Sequence, residues 1–153
     1  MPGLFENFRA VVAALNEASV PFPVCGGLAM SIHARPRATI DIDLLAPADA
    51  MPRVVETLKP IGFLRRDPSP ARLANGQIVM HGLTKVVPGD PDVLILDVIE
   101  VQPGVTARAW AGREIVEWEG HRLTVVSREG LIALKRLRGS PQDEADIAAL
   151  EGG

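Results

Sequence analysis

Two aspartates, Asp41 and Asp43, stand two residues apart in the otherwise aliphatic stretch 40–45. Because side chains alternate between the two faces of a strand, these carboxylates would share one face, with Cα atoms ~7 Å apart. Like charges at that separation repel when water is partly excluded, and a shared divalent cation relieves the repulsion. Carboxylate oxygens suit Mg²⁺. The alternative is an ordinary amphipathic strand with its polar face in water, although aspartate is among the residues least suited to strands.

A third acidic residue, Asp97, interrupts the aliphatic stretch 93–99. Burying a lone carboxylate costs several kcal/mol unless the group is neutralised, paired or bound to a metal. We therefore expect Asp97 to be either protonated or a ligand. The two aspartates upstream favour a ligand.

A glycine pair, Gly26-Gly27, follows an apolar stretch that ends at Cys25. Glycine lets the backbone approach a bulky group closely, and amides that open a helix are natural donors to phosphate oxygens. A plain turn is the alternative interpretation of the pair.

Two cations are candidates for an anionic ligand. Arg37 alternates in phase with the aspartates of the next strand, so it could pair with a carboxylate or with a triphosphate. Lys135 lies close to the apolar stripe of a late helix, where a cation invites an anionic partner. With 16 basic and 19 acidic residues, the net charge of −3 provides no overall attraction for nucleic acid.

The elements that must position these residues are predicted from periodicity and turn residues. We expect Ser127 to cap a late helix and Gly139 to close it. The predicted elements are helix 4–18, a strand ending at residue 25, a short helix, the aspartate strand ending at residue 47, helix 49–59, a short strand near 63–64, a loop or hairpin over 67–76, strands 77–87 and 93–99, an irregular segment 101–112, a hairpin of 113–118 and 121–126, helix 131–138 and a last helix through 150.

The composition sets further limits. A chain of 153 residues is expected to form one domain over 1–153, with C-terminal helices over about 127–150. Its single cysteine, Cys25, excludes an internal disulfide and a thiolate zinc site and is expected to be buried. No apolar stretch is long enough to span a bilayer and no signal peptide is visible, so we expect a soluble cytoplasmic protein. The histidines His33, His81 and His121 are expected only to pack or to be solvated.

The chain resembles the polymerase-β-like nucleotidyltransferase superfamily. The resemblance rests on Gly26-Gly27, thirteen intervening residues, Asp41-x-Asp43 and the later strand residue Asp97. The chain is most similar to its minimal bacterial group, which includes the abortive-infection toxin nucleotidyltransferases, and it also resembles the aminoglycoside and lincosamide nucleotidyltransferases. That similarity rests on the form Arg37-x-Thr39-x-Asp41-x-Asp43 and on the ending Leu131-Ile-Ala-Leu-Lys135 with Asp143 and Asp146-Ile147. The resemblance implies an α/β (α+β) fold with a mixed central sheet flanked by helices.

The resemblance also implies roles for the aspartates. Asp41 and Asp43 would hold two Mg²⁺ ions, with Mn²⁺ as an alternative, and Asp97 would complete the second metal site and take a proton. All three would thus be both metal ligands and catalytic residues. The reaction would transfer a nucleoside monophosphate from a nucleoside triphosphate such as ATP to a hydroxyl, releasing pyrophosphate.

The remaining implied roles concern the nucleotide. The amides of Gly26 and Gly27 would bind the β and γ phosphates, and Arg37 and Lys135 would neutralise charge on the triphosphate. The hydroxyl acceptor could belong to RNA, a protein or a small molecule. With no tyrosine and two tryptophans, the chain leaves the preferred base open.

The chain departs from the larger members, which carry a separate helical domain, because it has only about 25 residues after the last predicted hairpin. The acceptor pocket would then need a second subunit or a partner protein. One alternative function is a catalytically weak nucleotide-binding or partner-binding module of a toxin–antitoxin-like pair. Another is a glycosyltransferase with a Mn²⁺-bound sugar nucleotide, which leaves Gly26-Gly27 and Asp97 unexplained.

Overall fold

The structure, a computed structural model, describes residues 3–34, 41–89, 91 and 93–152. The helices of this part of the chain are α1 (Leu4–Glu17), α2 (Gly26–His33), α3 (Met51–Leu58), α4 (Val105–Ala111), α5 (Arg128–Arg138) and α6 (Pro141–Gly152). The strands are β1 (Val24–Cys25), β2 (Asp41–Pro47), β3 (Leu64–Arg65), β4 (Ala71–Leu73), β5 (Ile78–Val86), β6 (Val93–Val101), β7 (Glu114–Trp118) and β8 (His121–Val125). Short 3₁₀ turns cover Ala48–Ala50 and Lys59–Ile61.

The described strands form one mixed sheet in the order β3-β5-β6-β2-β1-β8-β7, with β4 paired to β5. Strands β2 and β6 run parallel, whereas β1 is antiparallel to β2 and β5 is antiparallel to β6. The prediction of an α/β fold with a mixed central sheet flanked by helices is confirmed.

The alternating pattern of β2 separates its two faces. Ile42 and Leu44 are fully buried in the hydrophobic core, whereas Asp41 and Asp43 are partly buried on the opposite face. Helix α1 contributes Phe8 and its neighbours at helical spacing to the same core. The aliphatic half of β2 therefore fixes the register of the strand, since a slip by one residue would exchange the two faces.

Most predicted elements are present within a few residues of their expected ends. The hairpin formed by β7 and β8 is confirmed. The Ser127 hydroxyl accepts a hydrogen bond from the Gly130 amide at 3.0 Å, and Gly139 closes α5 with a φ of 70°. Helix α3 begins at Met51, after a 3₁₀ turn, rather than at residue 49.

The prediction that 101–112 is irregular is wrong, because this segment contains α4 (Val105–Ala111). Gly104, with a φ of 113°, lies immediately before the helix. The buried Thr106 hydroxyl then accepts a hydrogen bond from the Gln102 amide at 2.7 Å and donates one to the Gln102 carbonyl at 3.0 Å. The breakers Pro103 and Gly104 therefore precede the helix instead of preventing it.

None of the helices in the described ranges combines the length and the apolar composition that a bilayer crossing requires.

The Ser127 cap gives a direct test of how α5 begins. We expect Ser127→Ala to lower the free energy of unfolding by about 1 kcal/mol, because the Gly130 amide loses its acceptor. Urea denaturation measures the change, and Ser127→Asn, which restores a capping oxygen, is the control. Equal stability of the alanine variant and the original protein would contradict the assignment of this cap.

Candidate active site

The parallel register of β2 and β6 brings the three aspartates onto one face of the sheet. Asp43 lies directly opposite Asp97, and Asp41 lies two residues earlier on the same face. Neighbouring strands are ~4.8 Å apart, so the facing carboxylates of Asp43 and Asp97 are close neighbours. Residues 54 positions apart in the sequence thus contribute to one acidic cluster, defined here as Asp41, Asp43 and Asp97.

The electrostatics of this acidic cluster are unfavourable. Burial, followed by the charges of Asp97 and Asp41, raises the pKa of Asp43 to about 7. Burial is also the largest cause of the raised pKa of Asp97, and the nearby Arg66 guanidinium opposes that increase. Because the charged forms lose water and repel one another, the fully ionised cluster is costly without added positive charge.

The amino end of α2 is packed against the cluster. Gly26, the first residue of this helix, has a φ of 65°, which L side chains rarely adopt. A Cβ at this position would lie 2.1 Å from Oδ2 of Asp43, so a side chain larger than hydrogen would displace the carboxylate. Gly27 is buried in the same first turn. The glycine pair therefore allows the helix to begin directly beside Asp43.

The donor set of the acidic cluster fits a divalent cation in chemical type, and its three carboxylates share one face of the sheet. Three carboxylates on one face provide the hard oxygen ligands that Mg²⁺ takes. Within the described ranges, no group of three or more His, Cys, Asp or Glu side chains is already arranged to hold an ion. Binding would therefore require the carboxylates to rotate toward a common point. Asp97 would also have to turn away from Arg66, whose Nη2 lies 3.4 Å from Oδ1.

Lys135 is buried in α5, and its anionic partners belong to the protein itself. Its Nζ donates a hydrogen bond to Oδ2 of Asp146 at 2.8 Å and lies 3.7 Å from Oδ1 of Asp143. Both carboxylates are carried by α6 and are buried. The structure thus pairs Lys135 with carboxylates of the protein itself, and its role toward a triphosphate stays a prediction. Arg37, the other predicted cation, lies outside the described residues.

Arg138 was not predicted as a site residue, although the structure places it beside Asp43. Its guanidinium donates to Asp143 through Nε at 2.9 Å and Nη2 at 2.7 Å, and its side chain is about half exposed. Burial alone would raise the pKa of Asp143, but hydrogen bonds from Arg138 and Ser140 outweigh it and hold that pKa well below its usual range. The helical spacing of residues 131, 134, 135 and 138 was the signal that could have identified Arg138.

A cavity lies between the sheet and α5, next to the acidic cluster. Its empty volume is about 450 Å³, part of it open to solvent. We call its charged lining residues, Asp43, Lys135 and Arg138, the charged side, and its aliphatic and methionine lining residues the apolar side. The lining residues are Cys25, Gly26, Asp43, Leu73, Ile78, Met80, Ile99, Leu131, Leu134, Lys135 and Arg138. The apolar side was not predicted, because β4, β5, β6 and α5 each contribute to it.

Solved structures match the chain along nearly its whole length. It is similar to TM1012 of Thermotoga maritima, assigned as a nucleotidyltransferase, with a TM-score of 0.68, 15% identity and coverage of 99% of this chain and 95% of that chain. It is also similar to the lincosamide antibiotic adenylyltransferase LnuA, lincomycin-bound, with a TM-score of 0.62, 15% identity and 94% of each chain covered. The chain has the nucleotidyltransferase fold. The adenylyl-2''-tobramycin complex of ANT(2'')-Ia shares this fold, with a TM-score of 0.57, 18% identity and 95% of each chain covered.

The resemblance to nucleotidyltransferases that the sequence motifs indicated is confirmed at the level of the fold. No family model matches the chain, and no curated protein matches it in sequence. The TM-scores of 0.57–0.68 show a shared fold, and at identities of 15–18% they show the fold alone. The activity of this chain must therefore be argued from its own side chains.

Replacing Asp43 should stabilise the metal-free protein. A carboxyl whose pKa is raised on folding costs stability once it ionises, so the penalty grows as the pH rises from about 4 and is complete above about 7. We expect Asp43→Asn, measured by urea denaturation with a chelator at pH 8, to raise the free energy of unfolding by on the order of 2–4 kcal/mol. The gain should disappear near pH 4.

The control for that measurement is Asp49→Asn, since Asp49 is exposed. Its free energy of unfolding should change by less than about 0.5 kcal/mol. If Asp43→Asn left the stability at pH 8 unchanged, the proposed repulsion within the acidic cluster would be contradicted.

A second comparison tests what Lys135 does for the fold. Lys135→Met leaves Asp146 buried without its cation, so we expect a loss of about 3–5 kcal/mol in the free energy of unfolding. The matched control on the same helix is Arg136→Met, which breaks the exposed ion pair with Glu151 and should cost at most about 1 kcal/mol. Equal stabilities of the two variants in urea would show that the buried pair is dispensable.

Proposed function

We propose that this protein transfers a nucleoside monophosphate from a nucleoside triphosphate to a hydroxyl group and releases pyrophosphate. The observation that supports this most strongly is the in-register placement of Asp43 opposite Asp97, with Asp41 on the same face, in a nucleotidyltransferase fold. Three carboxylates on one partly buried face of a sheet lower the stability of a fold, so stability alone does not explain them. Phosphoryl transfer does explain them, because it needs such a cluster to hold cations.

The acidic cluster would hold Mg²⁺, or Mn²⁺ in its place. Asp41 and Asp43 would be ligands to two ions, and Asp97 would complete the second site. When bound, the ions would neutralise the triphosphate and lower the pKa of the attacking hydroxyl. Asp97 would accept the proton of that hydroxyl. Gly26 would keep the carboxylate of Asp43 in place, since a side chain there would displace it.

The nucleotide would lie along the amino end of α2 and the charged side of the cavity. The amides of Gly26 and Gly27 would donate to phosphate oxygens. Arg37 and Lys135 remain our proposed cations for the triphosphate, and we add Arg138, which is about half exposed beside the cavity. Lys135 would contribute its charge from within the ion pair with Asp146.

We propose a small molecule as the acceptor and ATP as the donor. LnuA is an adenylyltransferase seen with lincomycin, and ANT(2'')-Ia is seen with adenylyl-2''-tobramycin. The apolar side of the cavity is suited to an acceptor with an apolar part. RNA and protein hydroxyls, and a protein partner or second subunit that completes the pocket, are the other arrangements we consider. The reaction would take place in the cytoplasm, where nucleotides and Mg²⁺ are abundant.

A second candidate is a catalytically weak nucleotide-binding or partner-binding module of a toxin–antitoxin-like pair. The observation in its favour is that Asp97 contacts Arg66, and that the described carboxylates are not already arranged around an ion. Such a module would gain thermal stability from a nucleotide without turning it over.

The test is incubation of the purified protein with each α-labelled nucleoside triphosphate, Mg²⁺ and a panel of acceptors that includes hydroxylated antibiotics and total RNA. We expect label transfer or pyrophosphate release that falls at least about 100-fold in Asp41→Asn and Asp43→Asn, because each loses a metal ligand. Asp49→Asn is the control and should retain full activity. Unchanged activity in both active-site variants would overturn the proposal, and thermal stabilisation by a nucleotide without turnover would favour the second candidate.

A further inference from the structure

The side chain of Arg66 crosses one strand of the sheet to reach the acidic cluster. Arg66 directly follows β3, the edge strand, and β5 lies between β3 and β6. Its amide donates to the Gly82 carbonyl at 2.9 Å, and Gly82 pairs with Asp97 of β6. From there Nη2 of Arg66 lies 3.4 Å from Oδ1 of Asp97. A cation from the edge of the sheet thus contacts the third carboxylate of the cluster.

Glycine at position 82 is what permits this crossing. A Cβ on Gly82 would lie 2.1 Å from Nη2 and 2.5 Å from Cζ of Arg66, so any side chain there would displace the guanidinium. Glycine in the interior of a strand weakens the strand and often marks a close approach by another group. Here the group that approaches is Arg66.

The preceding residue anchors β3 on the other face of the sheet. Arg65 donates from Nη2 to Nδ1 of His81 at 3.0 Å, and Nε2 of His81 then donates to Oε1 of Glu100 at 2.9 Å. His81 is buried at the centre of this chain of hydrogen bonds, whereas Arg65 is exposed. The two-residue strand β3 is thereby held on β5, and Arg66 starts from a fixed position.

Arg66 also has a second carboxylate within reach. Its Nε lies 3.5 Å from Oδ2 of Asp67, an exposed residue, and the Arg66 side chain itself is 39% exposed. The contact with Asp97 is long for a charge-assisted hydrogen bond, which is usually 2.7–2.9 Å. The guanidinium can therefore leave Asp97 for solvent and Asp67 without breaking a short bond.

We propose that Arg66 is a positioning residue that holds Asp97 while no cation is bound and releases it when a divalent cation binds. This inference rests on the proposed function, since it takes Asp97 to be a metal ligand. Arg66 and the cation compete for one carboxylate, so Arg66 weakens the affinity of the acidic cluster for the ion. The presence of Gly82 is what makes the competition possible.

The test is the affinity of the nucleotide-free protein for Mn²⁺, measured by electron paramagnetic resonance of the unbound ion. Gly82→Ala keeps the charge of Arg66 but displaces its guanidinium, and Arg66→Gln removes the charge. We expect both variants to bind Mn²⁺ about threefold to tenfold more tightly than the original protein, as the loss of a weak ion pair would allow. Should Gly82→Ala not fold, Arg66→Lys replaces it, because lysine keeps the charge without the planar fork.

Arg72→Gln is the matched control. Arg72 is an exposed cation of β4, which, like β3, pairs with β5. Its loss should change the affinity for Mn²⁺ less than about 1.5-fold. Unchanged or weaker Mn²⁺ binding by the charge-retaining variant would overturn the proposal, even if Arg66→Gln bound more tightly. A third outcome is that the wild-type protein binds Mn²⁺ and Asp43→Asn abolishes this binding, whereas the substitutions at Arg66 and Gly82 leave it unchanged. That outcome would overturn this inference alone. No Mn²⁺ binding by the wild-type protein would overturn the metal site of the proposed function as well.

Discussion

Repulsion among three carboxylates on one face of the sheet is the constraint on which the rest of the site depends. Asp43 faces Asp97 across two parallel strands, and Asp41 is close enough to raise the pKa of both. Burial adds to this cost, because ionised groups lose their water. The arrangement is stable only because the aliphatic residues on the reverse of β2 fix its register within the core. The fold therefore stabilises an acidic cluster that would be unfavourable by itself.

Among the residues that the structure describes, Arg66 and Arg138 bring positive charge to the acidic cluster from different elements, and each is held by other contacts. Arg66 comes from the edge strand, where its amide is bound to the Gly82 carbonyl. Arg138 comes from α5, where Asp143 holds its guanidinium with two hydrogen bonds. Because these cations have partners elsewhere, they reduce the repulsion without filling the space between the carboxylates. An added cation or an anionic ligand can then rearrange them at modest cost.

Helix α5 lines the cavity, and buried ion pairs connect it to α6. Lys135 and Asp146 are both almost fully buried, 2.8 Å apart. Removing either partner would leave a buried charge, whereas the intact pair selects one arrangement of the two helices. The charged side of the cavity is thus built from the same residues that orient α5. In a chain of 153 residues, one pair of helices serves both the fold and the site.

The sequence by itself determined what depends on neighbouring residues: the two-residue period of β2, the start of a short helix at the glycine pair, and the Ser127 cap. Helix α4 was missed because its seven residues show little periodicity and follow two breakers. Only the tertiary structure decided that Asp97 faces Asp43, that Arg66 passes over Gly82, and that α6 supplies the partner of Lys135. Contacts of this kind depend on strand order, register and helix packing, which no local pattern encodes.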